Sequence, residues 1–277
     1  MSGWQQLGAV SPRALTDARL QLHWSCQLAA APGKVLAEPE DDYRHTALAW
    51  IDTGRQLAGA RFASGLRVAL RPADLTLALL DESLATLDQF PLPKTTIDAG
   101  LAWLGEVIEA HAGSPPGLDD VRSDLPSHPV GEGATIDADP RALRELSKHF
   151  ANADCLLGAE SRSLDGASEV SLWPHHLDMS TLWSIDKDAD PEQARSVNLG
   201  MALGDNGIDE PYWFVTPWPA PDTAKLPDLE VGEWNTEGWV GAVLPSSAMP
   251  GPSEAQQRLV ADFIQGSLDA SKQILGV

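Results

Sequence analysis

His175, His176 and Asp178 stand close together in the stretch Leu172-Trp173-Pro174-His175-His176-Leu177-Asp178-Met179-Ser180. Side chains along a strand alternate in direction, so a strand here places His176, Asp178 and Ser180 on one face and Leu177 and Met179 on the other. An imidazole and a carboxylate on one face can share a proton or ligate a metal ion. In the first case His176 is the general base and Asp178 orients it. In the second both are ligands, and Asp205, Asp209 or Glu210, in the loop Gly204-Asp205-Asn206-Gly207-Ile208-Asp209-Glu210, supplies the remaining donors, Asp205 being the first candidate. The spacing matches no HExxH or facial-triad pattern, so the same residues equally fit a hydrogen-bonded structural pair. His175 is expected on the opposite face, packing or capping.

Aromatic residues form the second group with chemical potential. Of ten tryptophans, six lie between positions 173 and 239. Tryptophan density marks either a core or a ligand wall, because the ring is apolar and its N–H needs a partner. Trp173, Trp183, Glu210, Tyr212, Trp213 and Trp218 are the expected ligand-binding residues. The segments Glu210-Pro211-Tyr212-Trp213 and Pro217-Trp218-Pro219 stiffen the backbone, which suits a pocket mouth and equally a proline-blunted sheet edge. Ser180 and Thr181 lie too near His176 in sequence to form a triad, and no GxSxG elbow occurs. No GxGxxG or GxxxxGK[ST] loop occurs either, and the cofactor is left unassigned.

The elements that must carry these residues read as α+β. Pro12 to about Ala31 is a helix with Ser11 as its cap. Thr46–Phe62 is two strands joined at Thr53-Gly54, followed by strands at Leu66–Leu70 and Leu75–Leu80. Thr95, with Asp98 three on, caps a second helix. Residues 113–139 are rich in Gly, Pro, Ser and Asp and form the expected linker between an N-terminal half, 1–112, and a C-terminal half, 140–277. Asp139-Pro140 opens a third helix. Strands are expected at 170–174, 177–186, 195–203, 212–216 and 238–244, and a last helix begins at Pro252-Ser253. Two antiparallel meanders flanked by helices result, packed as one compact body. The order helix, meander, helix occurs twice, which suggests an internal duplication with His45 standing where His176 stands in the second half.

Composition narrows the function classes. The formal charge of −21, from 40 acidic and 19 basic side chains, repels phosphate backbones and anionic bilayers. Nucleic-acid and membrane partners are therefore not expected. Two cysteines without CxxC spacing, no signal-peptide pattern and no run of about 18 apolar residues point to a soluble, cytoplasmic protein with reduced thiols.

Three segments of the C-terminal half resemble an uncharacterised bacterial family, one of the domains of unknown function. They are Trp173-Pro174-His175-His176-Leu177-Asp178, then Gly204-Asp205, then Glu210-Pro211-Tyr212-Trp213-Phe214-Val215-Thr216-Pro217-Trp218-Pro219. The segment Trp234–Trp239 is similar too, whereas Leu177 stands where the family usually carries Phe. The resemblance implies one family-length unit over most of the chain and carries no mechanism. The expected function is a small-molecule-binding protein or enzyme with a Trp-lined pocket and the His176/Asp178 polar pair. The alternative is a non-catalytic interaction protein, a homodimer or partner binder using an exposed Trp/Pro surface.

Overall fold

The computed structural model describes residues 3–62, 65–113, 117–118, 125–186 and 194–277. The protein is α+β, with two antiparallel sheets and four long helices among the described residues. In chain order these are α1 (Thr16–Leu36), β1 (Ala49–Ile51), β2 (Gln56–Ala58), β3 (Arg67–Arg71), β4 (Thr76–Leu80), β5 (Thr86–Pro91) and α2 (Ile97–Ala112). There follow α3 (Pro140–Ser163), β6 (Ser171–Trp173), β7 (Asp178–Ser184), β8 (Ser196–Ala202), β9 (Tyr212–Trp218), β10 (Glu233–Asn235), β11 (Gly241–Pro245) and α4 (Ser253–Leu275). Two compact units are formed. One comprises Ala14–Ser147 with Ser171–Leu177, the other Met1–Arg13 with Lys148–Val170 and Asp178–Val277.

In the N-terminal unit the strands pair in sequence order, β1 to β5, as short connections dictate. Alternation sends Leu57, Val68, Leu70, Leu77 and Leu79 to one face, all fully buried. Helices α1 and α2 cover that face, and Gly100 lets them close on it. A Cβ at Gly100 would stand 2.7 Å from Leu28 of α1 and 2.9 Å from Leu92. Helix α1 is buried nearly all round, including Gln21, His23, Ser25 and Gln27, which explains why its apolar pattern is too broad for a surface helix. It begins after a 3-10 turn at Pro12–Leu15, so the expected Ser11 cap is displaced. The cap of α2 is Thr96, whose hydroxyl accepts from the Ala99 N–H, not Thr95, which bonds Leu92 O instead. Residues 125–139 belong to this unit: Pro126 O accepts from Trp24 Nε1 at 3.1 Å and Asp137 N donates to Gln21 at 2.8 Å.

The second sheet runs β10-β11-β9-β8-β7-β6. Its strict meander ends at β9, where β11 inserts and leaves β10 at the edge. Strands β8 and β9 pair Met201↔Trp213 and Leu199↔Val215 on one face, and Gly200↔Phe214 and Ala202↔Tyr212 on the other. Helix α4 buries Val260, Phe263 and Ile264 and packs on β9. On the opposite face Phe214 lies across Gly200, with Tyr212, Val243, Ile208 and Trp239 around it. A Cβ at Gly200 would also come within 2.9 Å of Met179 O, so neither ring nor strand can admit a side chain there. Strands β5 and β10 escaped the sequence reading. β5 is exposed along nearly its whole length and shows no apolar alternation, and β10 has three residues.

Candidate functional site

The Trp173–Ser180 stretch is a hairpin, not the head of one strand. β6 ends at Trp173, a turn takes Pro174–Leu177, and β7 starts at Asp178. Leu177 has a left-handed φ of 56°, and its N–H bonds Trp173 O at 2.8 Å. A turn interrupts the two-residue period, so His176 and Asp178 do not come to share a strand face. His175 and His176 are both exposed at the turn, with ring centroids 4.2 Å apart, and Trp173 meets His175 edge-on. Burial, then His176 and Lys34, lowers the His175 pKa.

Behind this turn lies an anchor that sequence reasoning passed over. His23, 5% exposed on α1, bonds Pro174 O through Nε2 at 2.8 Å, and Gln27 Nε2 donates to the same carbonyl at 2.6 Å. Burial lowers the His23 pKa from 6.5 to about 4, partly offset by its bonds to the Pro174 and His175 backbone and reinforced by Arg19 and His176. His23 is therefore neutral at pH 7 and holds the turn. Polar residues spaced four apart, His23 and Gln27, were the available signal. His45 is likewise occupied, its Nδ1 accepting from Glu40 N at 3.0 Å.

Asp205, the first candidate for a third metal donor, is committed elsewhere, as is Glu210. Asp205 Oδ1 accepts from the N–H groups of Gly207 and Ile208 at 2.7 and 2.8 Å, and Oδ2 from Tyr212 OH at 2.6 Å. Among the described residues no group of three or more His, Cys, Asp and Glu side chains is arranged to hold a metal ion. Asp205 organises a loop. Asp205→Ala is expected to cost about 1–3 kcal/mol by removing the charged acceptor shared by Tyr212 OH and the Gly207 and Ile208 amides, and a urea midpoint unchanged from wild type would refute that role.

The aromatic residues separate rather than converge. Trp213 is 1% exposed, stacked on Trp4 at 6.1 Å, and is core. Tyr212 points to the other face of β9. Glu210 is buried and accepts from Ser247 N at 2.7 Å and Ser247 Oγ at 3.0 Å, which ties two loops together. Trp183 donates to Asp165 O at 3.2 Å. Trp218 is 47% exposed and precedes a cis peptide bond to Pro219.

Beyond Trp218 the C-terminal unit opens a cleft of about 560 Å³, lined by Pro219, Pro221, Pro227, Arg195, Lys225 and Ile274 among others. Two of its lining residues are anchored by hydrogen bonds. Trp234 Nε1 donates to Pro227 O at 2.7 Å. Arg195 grips Asp186 through Nε and Nη2 at 2.8 and 2.7 Å and caps α4 through Nη1 to Leu275 O at 3.0 Å. That double hydrogen bond lowers the Asp186 pKa to about 2. Lys225 pairs with Asp222 at 3.2 Å while its side chain stays 81% exposed, so its ammonium can turn toward an incoming group. Of these prolines only Pro219 falls in a segment whose composition suits a pocket mouth and equally a blunted sheet edge. Arg195 and Ile274, far apart in sequence from them, carried no signal. No family model matches the chain, and no curated protein or solved structure matches it.

Proposed function

We propose that this is a small-molecule-binding protein whose ligand lodges in the cleft beside Trp218 and Pro219. The observation that carries this reading is the cleft itself: about 560 Å³ falls within the range of organic-ligand sites, and its lining joins three prolines and Ala220, Ile274 and Leu275 to the polar Arg195, Asp222, Lys225 and Gln273. Prolines and Ile274 suit a flat apolar body. Lys225, in a protein of net charge −21, suits one anionic group at its rim. The expected His176/Asp178 chemistry plays no part in this reading, because the cleft lies elsewhere and neither residue lines it.

The test is a thermal-shift screen of aromatic carboxylates and sulfonates against the wild type and Ile274→Trp, which fills the cleft. A compound present at a hundredfold excess over its Kd stabilises by about 2.7 kcal/mol, a shift of several degrees. The reading requires a shift in the wild type that Ile274→Trp loses. Equal shifts in both proteins, or none in either, would overturn it.

One observation favours the interaction reading as well. Leu182 and Trp218, 43% and 47% exposed, stand on one face of the second sheet, opposite Asn198 and Ser196 in the strand register. A homodimer through that face would be lost in Leu182→Asp, as read by sedimentation velocity.

A further inference from the structure

Several cations of this acidic protein settle their charge locally. Arg44, Arg71, Lys94, Arg195, Lys225 and Lys272 each pair with a nearby Asp. Arg67, at the start of β3, does not. Its Nε is buried and meets no acceptor, and its guanidinium has no ion pair among the described residues. An arginine out in solvent needs no partner; one whose Nε has lost its water does.

Its neighbour deepens the anomaly. The pairing Leu57↔Leu70, Ala58↔Ala69 closes at the Phe62↔Leu66 bridge, which sets Arg61 beside Arg67. Arg61 spends Nη1 on Gly65 O at 3.1 Å and Nη2 on Glu82 O at 3.2 Å. Both acceptors are carbonyls, so neither cancels the charge. Glu82 lies close through its Cβ and Cγ, which face Gly65, and it makes no ion pair with either arginine. Burial and the Arg61 charge both push the Arg67 pKa down. A guanidinium nevertheless stays protonated at neutral pH. Two like charges side by side, one of them partly desolvated, are held together by the hairpin at a cost that an anion would relieve.

We propose that Arg61 and Arg67 form a receptor for a tetrahedral oxyanion, the phosphate group of a small ligand. Arg67 commits neither terminal amine to another described residue, and Arg61 keeps Nε and part of each terminal amine uncommitted, so the two guanidinium ends can grip one phosphate. Beside Arg67 on the same sheet face lie Ala69, Ala78, Leu80 and Ala58, with Ile51 and Leu84 packed against them. That floor is apolar and supplies no competing carboxylate. The site is independent of the proline cleft, and either can fail without the other.

Inorganic phosphate is the probe, added to the full chain at constant ionic strength with chloride as the control. The readout is the arginine Nε–Hε NMR signals, together with the melting temperature. Phosphate is expected to shift the Arg61 and Arg67 signals saturably and to raise the melting temperature, and Arg67→Gln should abolish both effects. This substitution replaces a partly desolvated charge by a neutral amide, and the melting temperature of the variant without phosphate is read alongside, so loss of binding is separated from unfolding. Arginine signals that respond alike to chloride and phosphate, or an undiminished response of Arg61 in Arg67→Gln, would overturn the proposal. An equal response to acetate would remove the tetrahedral-dianion assignment.

Discussion

Trp213→Ala is expected to lower the stability of the protein by about 3–5 kcal/mol, the range for emptying a large aromatic from a core. Trp213 lies in the middle of the second sheet, between Met201 of β8 and Leu244 of β11, with Trp4 stacked on it. Removing the ring empties its own volume and also takes away the surface on which Trp4 rests. Trp4 Nε1 and the backbone of Leu7 both reach Gln256 of α4, the latter at 2.9 Å, so the loss should loosen the N-terminal segment as well. Trp213→Phe should cost much less, under about 1.5 kcal/mol. It keeps most of the packing and deletes an indole N–H that is buried without an acceptor among the described residues. Urea unfolding followed by far-UV circular dichroism makes the comparison, with Trp183→Ala as a half-exposed reference. If Trp213→Ala and Trp183→Ala lose the same stability, Trp213 is not the keystone of this sheet.

The second large effect depends on pH. His23 is neutral in the fold and titrates near 4, against 6.5 when unfolded. Above pH 6.5 both states are neutral and the histidine imposes no penalty. As pH falls below 6.5 the unfolded chain takes up the proton first, and stability declines until the folded-state value near 4 is passed. The full loss is about 3 kcal/mol, taken at 1.36 kcal/mol per pKa unit. Acidification also relieves repulsion among the many carboxylates, which works in the opposite direction. The difference between wild type and His23→Gln cancels that shared trend. Glutamine keeps an amide donor for Pro174 O and does not titrate, so the variant should show a shallower decline between pH 6.5 and 4. Parallel stability curves for the two proteins would mean that His23 is solvated enough to titrate normally.

Sequence reading recovered those elements whose signals are local. Helix α3 was announced by Asp139-Pro140 and α4 by Pro252-Ser253, and strands β3, β4, β7 and β8 by short apolar runs between turn residues. What escaped was set by partners far along the chain. The His175–His176 pair looked like part of a strand because alternation is legible from residue types, whereas the left-handed φ of Leu177 is not: leucine rarely adopts it. Trp213 and Tyr212 are adjacent and were assigned to one wall. A strand must send neighbours to opposite faces, so only one of them could have joined it. The cleft escaped because the end of α4 meets the proline run of 219–227 only in three dimensions. The arginine pair escaped for a plainer reason, since nothing in a sequence of this charge says which cations lack partners.

The Gln256 clamp bears on how the chain matures. Its amide accepts from Leu7 N and donates to Leu7 O at 3.1 Å, across 249 positions of sequence. During translation at about 5–20 residues per second, Leu7 emerges roughly 12–50 seconds before its partner is made. For that interval the first strands and helices can assemble while the amino-terminal segment waits. The C-terminal unit is thus closed by a segment made 249 positions earlier, and that closure waits for α4.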